Sequence, residues 1–133
     1  SVKRSRNIHT SFLDQAILYE FFREGSFEKY IKKARRVYKQ KYEAAIAAVR
    51  QNIPQAMLYG DGGLHIFIKH KGINSRNLLS ECIKKGVIFT PGDIFYINDE
   101  GKDAFRLGFS RVRADDIEIG IKIISSTIEN IRE

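Results

Sequence analysis

The stretch GVIFTPGDIFYINDEGKDAFRLGFS, residues 86–110, indicates most about how this chain folds. Apolar residues 87–89 run into Thr90-Pro91-Gly92, which predicts a strand that ends in a turn. A loop then leads to residues 104–110, where apolar side chains alternate with Arg106 and Gly108 as in a second strand. Since side chains alternate between the two faces of a strand, Arg106 and Gly108 are expected on one face and their apolar neighbours on the other.

The segments that flank this stretch change period. Downstream, isoleucines at 117, 121, 124, 128 and 131 step by four and three residues, which predicts a long final helix. Upstream, residues 75–85 carry apolar side chains at helical spacing behind a capping Asn74 or Ser75, and Gly86 ends that helix. Before it, residues 56–59 and 64–69 read as two strands joined by a Gly-rich turn.

Two further helices are predicted at the start. Ser11 precedes an apolar-periodic stretch over residues 12–22, and Gly25 provides the stop. From a predicted N-cap at Ser26 a second amphipathic pattern continues for over twenty residues to about Asn52, ahead of Pro54. The order is α-α-β-β-α-β-β-α, and it predicts an α+β fold in which a small mixed or antiparallel sheet is covered by helices.

Composition narrows the function classes. The chain has 133 residues, a single cysteine and a net charge of +7. One cysteine excludes an intramolecular disulfide framework and a multi-cysteine zinc site. No apolar run approaches the roughly 18 residues of a membrane span, and no secretory signal is visible, so a cytoplasmic protein with no membrane partner is expected. The charge excess lies within residues 1–50 and is densest over 29–41; a solvated face, an acidic partner and nucleic acid all remain open as its role.

The order of motifs in residues 86–110, with Gly62-Gly63 before a strand, resembles the small domain of fold-type I aminotransferases, which depend on pyridoxal phosphate. Residues 8–15 and 30–38, together with Gly63-Leu64-His65, resemble the MocR-type branch of GntR family transcriptional regulators. The resemblance covers nearly the whole chain. It implies a truncated piece of a cytoplasmic, dimeric protein: residues 1–10 would be the linker from a missing large domain, and residues 11–133 the aminotransferase-like small domain.

The same resemblance implies partners and a cofactor. The parent protein would join this domain to a large domain and to a winged-helix DNA-binding domain, and it would bind pyridoxal phosphate and an amino-acid-type effector. Its arginine at the position of Arg106 would hold the effector or substrate α-carboxylate, which suits a planar guanidinium. From the residues alone, an edge arginine that extends to solvent is the alternative.

Other candidate residues have simpler explanations. Thr10 and Ser11 are read as helix-capping residues, although the resemblance also implies a contact to the cofactor site of the neighbouring subunit. Gly62-Gly63 is read as a tight turn and not as a phosphate cradle, because no helix follows it. His9, His65 and His70 lack metal-ligand spacing, so no metal site is expected. Cys82 is expected in the core, and Asp115-Asp116 at the start of the final helix.

Three functions remain open on these grounds. The first is the effector-side domain of a pyridoxal-phosphate-dependent regulator, the second is the small domain of a genuine class I/II aminotransferase, and the third is a stand-alone basic module that binds nucleic acid or protein. The sequence upstream of Ser1 would separate the first two. The identity of the effector, the operator and the oligomeric state stay outside what the residues indicate.

The isolated chain is predicted neither to bind pyridoxal phosphate covalently nor to transaminate, because the family's lysine motif lies upstream of the matching region. Absorption spectroscopy after dialysis checks this. A cofactor band that survives dialysis, and that borohydride fixes to one specific lysine, would contradict the prediction.

Overall fold

A computed structural model describes residues 11–98 and 100–132. The helices are α1 (Phe12–Arg23), α2 (Ser26–Asn52), α3 (Ser75–Lys84) and α4 (Ala114–Arg132), the strands are β1 (Met57–Tyr59), β2 (His65–Lys69), β3 (Thr90–Pro91) and β4 (Ala104–Gly108), and a 3-10 helix covers Gly92–Phe95. The predicted α+β order is confirmed. The predicted linker over residues 1–10 lies outside the described residues.

The four strands form one antiparallel sheet in the order β1-β2-β4-β3. In the central pair, Ile66 lies opposite Leu107 and Ile68 opposite Phe105. All four of these side chains are buried. They form one continuous core with buried residues of the helices: Ala45, Ala48 and Val49 of α2, Leu78 and Cys82 of α3, and Ile117, Ile121, Ile124 and Ile128 of α4. The C-terminal part of α2, together with α3 and α4, therefore covers one face of the sheet.

Polar contacts tie the C-terminal part of α2 to the rest of this core. Lys41 Nζ donates to the Ser110 carbonyl oxygen at 2.9 Å, and the Ser125 hydroxyl donates to the Asn52 carbonyl oxygen at 2.5 Å. The second bond satisfies one of the orphan carbonyls at the end of α2. It also fixes α4 against the end of α2.

The chain divides into two compact units, one ending at Val37 and the other beginning at Tyr38. In the first unit, α1 has no buried residue, and Phe12 is 86% exposed. Its aromatic contacts are local: the Phe22 and Phe27 ring centroids are 4.3 Å apart, and those of Phe21 and Phe27 are 6.2 Å apart. Gly25, at φ 68°, ends α1 as predicted.

The structure differs from the sequence prediction before the turn at Pro91. Residues 87–89 were predicted to be a strand, but only Thr90–Pro91 pairs with β4. Gly86, at φ 80°, turns the chain so that the Val87 amide donates to the Cys82 carbonyl oxygen at the end of α3. This bond occupies the amide that a strand would use. The remaining strands are one or two residues shorter than predicted, and Ser26, predicted as an N-cap, is the first residue of α2.

Gly92 is the tightest packed glycine of this turn. A Cβ atom there would lie 2.6 Å from both the Ala104 and the Gly101 carbonyl oxygens. Gly92→Ala is therefore expected to lower the free energy of unfolding by about 1–3 kcal/mol. Denaturant unfolding measures the change. Gly120→Ala is the matched control, because a Cβ in α4 meets nothing within 4 Å; it is expected to raise stability by about 0.5–1 kcal/mol. Equal stability of both variants would contradict this packing.

The apolar surface between Phe12 and Val49 predicts self-association of the isolated chain, since exposed patches of this kind mark interaction surfaces. The exposed members in the first unit are Phe12, Leu13, Ile17, Leu18, Tyr19, Phe22, Tyr30 and Val37. Sedimentation at several concentrations tests this. A monodisperse monomer at high concentration that binds no hydrophobic dye would argue against the prediction.

Candidate functional site

The face of the sheet away from the helices carries an open groove of about 530 Å³. The residues that line it come from β1, β2 and β4 and from the segments that follow β1 and the 3-10 helix: Tyr59, Gly60, His65, Phe67, Lys69, Tyr96 and Arg106. The alternation of β2 and β4 explains this set, because Phe67 lies opposite Arg106 in the ladder and both side chains point away from the buried isoleucines. The groove is therefore aromatic, with a guanidinium among the rings.

Arg106 is held in the groove by an aromatic ring and not by an acid. Its guanidinium carbon lies 4.8 Å from the centroid of the Phe95 ring, which is cation–π geometry. Its Nε atom is buried and has no hydrogen-bond partner among the described residues. None of the ion pairs found in residues 11–98 and 100–132 includes Arg106. A buried donor without an acceptor is costly, so this site favours an anionic ligand.

Phe95 is fixed by its aromatic neighbours. The Phe95 and Phe67 ring centroids lie 5.9 Å apart at 76°, an edge-to-face contact. The Tyr96 ring lies 6.5 Å from that of Phe67 and packs against Gly101, where a Cβ would lie 2.4 Å from the tyrosine ring. Gly101 is also at φ 74°, so a larger residue is excluded twice. The loop that precedes β4 is thus shaped to admit the Tyr96 ring.

His65 and Gly108 face each other across β2 and β4. A Cβ at Gly108 would lie 3.2 Å from the His65 ring, so the glycine leaves room for the imidazole beside the groove. The sequence prediction that Arg106 and Gly108 share a face agrees with this register. The side chain of His65 is exposed on the sheet face opposite to the buried Ile66.

The groove has one further cation, but this cation has a partner. Lys69 Nζ lies 3.6 Å from Asp103 Oδ2, at the end of the groove away from His65. Arg106 thus differs from Lys69 in having no ion-pair partner among the described residues. Among the described residues of this groove, we find a cation that fits a carboxylate, but no set of donors that fits the ring and the phosphate of pyridoxal phosphate.

The remaining sequence candidates lie elsewhere. Ser11 is exposed, and its hydroxyl accepts the Asp14 amide at 3.3 Å, so it caps α1; Thr10 lies outside the described residues. Gly62 and Gly63 lie in the connection between β1 and β2, with Gly63 at φ 91°. Asp115 and Asp116 lie in the first turn of α4.

The buried thiol has no site around it. Cys82 is in the core, and burial raises the pKa of its thiol, an effect that outweighs the lowering by a hydrogen bond to Thr127. Among the described residues, no three His, Cys, Asp or Glu side chains cluster in a way that could hold a metal ion. No helix within the described parts of the chain combines the length and the apolar character that a membrane crossing needs.

Sequence reasoning missed the aromatic support of Arg106. Phe95 and Tyr96 lie 11 and 10 residues before the arginine, in the loop that follows Pro91-Gly92. Only the fold brings them under β4. The signal available was two adjacent aromatic residues in a short loop, which sequence periodicity assigns to no face.

Comparison with known proteins agrees with this fold. No family model matches the sequence. Among curated proteins, the chain is 26% identical over 132 residues to 2-aminoadipate transaminase of Thermus thermophilus and 30% identical over 131 residues to an uncharacterized aminotransferase of Saccharolobus solfataricus. It is 25% identical over 133 residues to an uncharacterized HTH-type transcriptional regulator of Bacillus subtilis. Between 96% and 98% of this chain is covered in these matches.

Solved structures extend the comparison to the fold. Kynurenine aminotransferase of Pyrococcus horikoshii superposes with a TM-score of 0.88 at 31% identity, over 99% of this chain and 33% of that chain. A multiple substrate aminotransferase of Thermococcus profundus superposes with a TM-score of 0.86 at 25% identity, over 97% of this chain and 33% of that chain.

The homologues and structural neighbours of this chain are thus fold-type I pyridoxal-phosphate aminotransferases, and HTH-type transcriptional regulators of the MocR kind match as well. Its own fold is that of the small domain of an aminotransferase. The chain spans about a third of the length of the transaminases it matches and 27% of the regulator.

Proposed function

We propose that this chain is the C-terminal, effector-side domain of a pyridoxal-phosphate-dependent regulator of the MocR type, and that Arg106 binds the carboxylate of an amino-acid-type effector. The observation that carries the proposal is the buried Nε of Arg106, which lacks a partner among the described residues and faces an open groove. The matches to HTH-type regulators support the regulatory role. The sequence Gly63-Leu64-His65 resembles that branch, and His65 lines the same groove as Arg106.

The chemistry assigned to the chain is recognition. A guanidinium offers parallel N–H donors that match both oxygens of a carboxylate, so Arg106 fixes the position and the plane of the ligand's acid group. The Phe95 ring holds the guanidinium from one side at 4.8 Å without competing for its donors. The Phe67 and Tyr96 rings line the groove beside it and lower the local polarity, which strengthens an ion pair formed there.

Pyridoxal phosphate belongs, in this proposal, to another part of the parent protein. The described residues fit the acid end of an amino-acid ligand and not the cofactor itself, so no step of chemistry is assigned to the cofactor here. In this arrangement, this domain binds the carboxylate of the ligand and another domain of the parent protein binds the cofactor. The parent would be a dimer with a large domain and a DNA-binding domain as partners of this one.

The aminotransferase alternative uses the same site. The transaminase matches include the chain's 30% identical relative, and a substrate carboxylate would bind Arg106 as an effector carboxylate does. The residues encoded upstream of Ser1 separate the two functions: a winged-helix segment before the large domain supports the regulator, and a bare large domain supports the enzyme.

Arg106→Ala in the full-length protein is expected to weaken binding of the amino-acid effector by about 30- to several thousand-fold. This range corresponds to roughly 2–5 kcal/mol for a carboxylate left without its charged partner. Arg106→Lys should restore little, because an ammonium cannot reproduce the fork. Calorimetry with the effector measures both affinities.

Arg113→Ala is the matched control, since Arg113 is exposed and its pair with Asp115 spans 3.7 Å. Its effector affinity should not change. Pyridoxal phosphate binding should persist in all three variants. Unchanged effector affinity in Arg106→Ala would return Arg106 to an arginine that extends to solvent, and a joint loss of cofactor binding would mean that the residue is structural.

A further inference from the structure

The ring beneath Arg106 belongs to a segment with little internal support. Phe95 ends the 3-10 helix Gly92–Phe95, which has no side-chain cap at its start. One bond closes its end, from the Tyr96 amide to the Asp93 carbonyl oxygen at 3.3 Å. Short 3-10 turns have poor hydrogen-bond geometry and depend on their surroundings. Contacts from outside the turn therefore help to set the position of Phe95, among them its edge-to-face contact with Phe67 and the close packing of Gly92 on the Ala104 and Gly101 carbonyl oxygens.

An ion pair adds a further contact from outside the turn. Arg76 Nε donates to Asp93 Oδ2 at 2.5 Å, and the pair joins residues 17 positions apart. The arginine side chain is 65% exposed, whereas that of Asp93 is only 19% exposed. The other carboxylate oxygen of Asp93 is buried without a partner among the described residues. Among the described residues, Arg76 is thus the one ion-pair partner found for this mostly buried carboxylate.

The arginine is itself held on a fixed element. Arg76 lies in the first turn of α3, and its amide donates to the side-chain oxygen of the N-cap Asn74 at 3.1 Å. The Asn77 amide donates to the same oxygen at 3.1 Å. Leu78 and Cys82 of the same helix are buried in the core. The ion pair therefore connects a core-anchored helix to the turn that carries Phe95.

We infer that Arg76 and Asp93 form a positioning pair, which sets the Phe95 ring and through it the guanidinium of Arg106. This role rests on the proposed function of Arg106. The order of contacts is Arg76 to Asp93, then along the turn to Phe95, then across 4.8 Å to Arg106. A pair with so exposed an arginine contributes little to folding in general, so its effect should appear in ligand binding.

The experiment compares ligands with and without a carboxylate. Asp93→Asn and Arg76→Ala are made in the full-length protein loaded with pyridoxal phosphate, and calorimetry gives Kd for L-tyrosine against tyramine and for L-leucine against 3-methylbutylamine. Each variant is expected to weaken the amino acids about 3- to 10-fold, as expected for loss of one coupling between neighbouring groups. The amines, which present no acid to Arg106, should keep their affinity.

Lys84→Ala is the matched control. Lys84 forms an ion pair on the same helix, with Glu81 at 2.7 Å, but that pair stays within α3. This variant should bind all four ligands as the unaltered protein does. The double variant Asp93→Asn with Arg76→Ala should bind the amino acids no more weakly than either single variant, because both substitutions remove the same ion pair. In an Arg106→Ala background, Asp93→Asn should cause no further loss.

Four results would overturn the inference. Equal weakening of amino acids and amines would mean a structural role for the pair. A further loss in the Arg106→Ala background would mean that the pair acts through some other residue. Unchanged amino-acid affinity in Asp93→Asn and Arg76→Ala, while Arg106→Ala loses it, would remove the positioning role and leave the proposed function intact. Unchanged affinity in Arg106→Ala itself would overturn the proposed function, and the positioning role with it.

Discussion

The pairing of β2 with β4 is the constraint on which the rest of this structure depends. Ile68 opposite Phe105, and Ile66 opposite Leu107, give the helices an apolar face to cover. Because successive side chains of a strand point to opposite faces, the same register brings Arg106 to the uncovered face. A slip of one residue would expose Phe105 and bury the guanidinium, so the core packing fixes the register. The location of the candidate site is thus a consequence of hydrophobic burial.

This dependence explains what could be predicted from sequence. The isoleucine stripe of α4 and the alternation around Arg106 are local patterns, and the structure has both where they were expected. The prediction of a strand over residues 87–89 was wrong, because the Val87 amide bonds to the Cys82 carbonyl oxygen at the end of α3 and not to a neighbouring strand. The contacts that support Arg106 could not be predicted from sequence either. Phe95 meets Arg106, and Arg76 meets Asp93, only after the loop folds back on the sheet.

Exposed aromatic side chains occur in both units of the chain, but in different surroundings. In the second unit, Phe95 and Tyr96 are partly exposed but contact Phe67, so each ring has a defined neighbour around the guanidinium. In the first unit, exposed Phe22 and Tyr30 contact rings of the same unit, whereas Phe12 has no ring contact among the described residues. No residue of α1 is buried. The rings of the second unit surround a guanidinium, whereas the exposed apolar residues of α1 form a patch of the kind that marks interaction surfaces.

The net charge of the chain does not indicate where the candidate anion site at Arg106 lies. The excess of +7 lies within residues 1–50, whereas residues 51–133 carry as many acids as bases. Within that balanced part, Lys69 pairs with Asp103, Arg76 with Asp93, and Lys84 with Glu81. Arg106 lines the same groove as Lys69 but differs from it in having a buried Nε that lacks a partner among the described residues. Desolvation makes such a donor costly without an acceptor, so it is the local environment of this one arginine, and not the net charge of the basic helix, that favours an anion ligand.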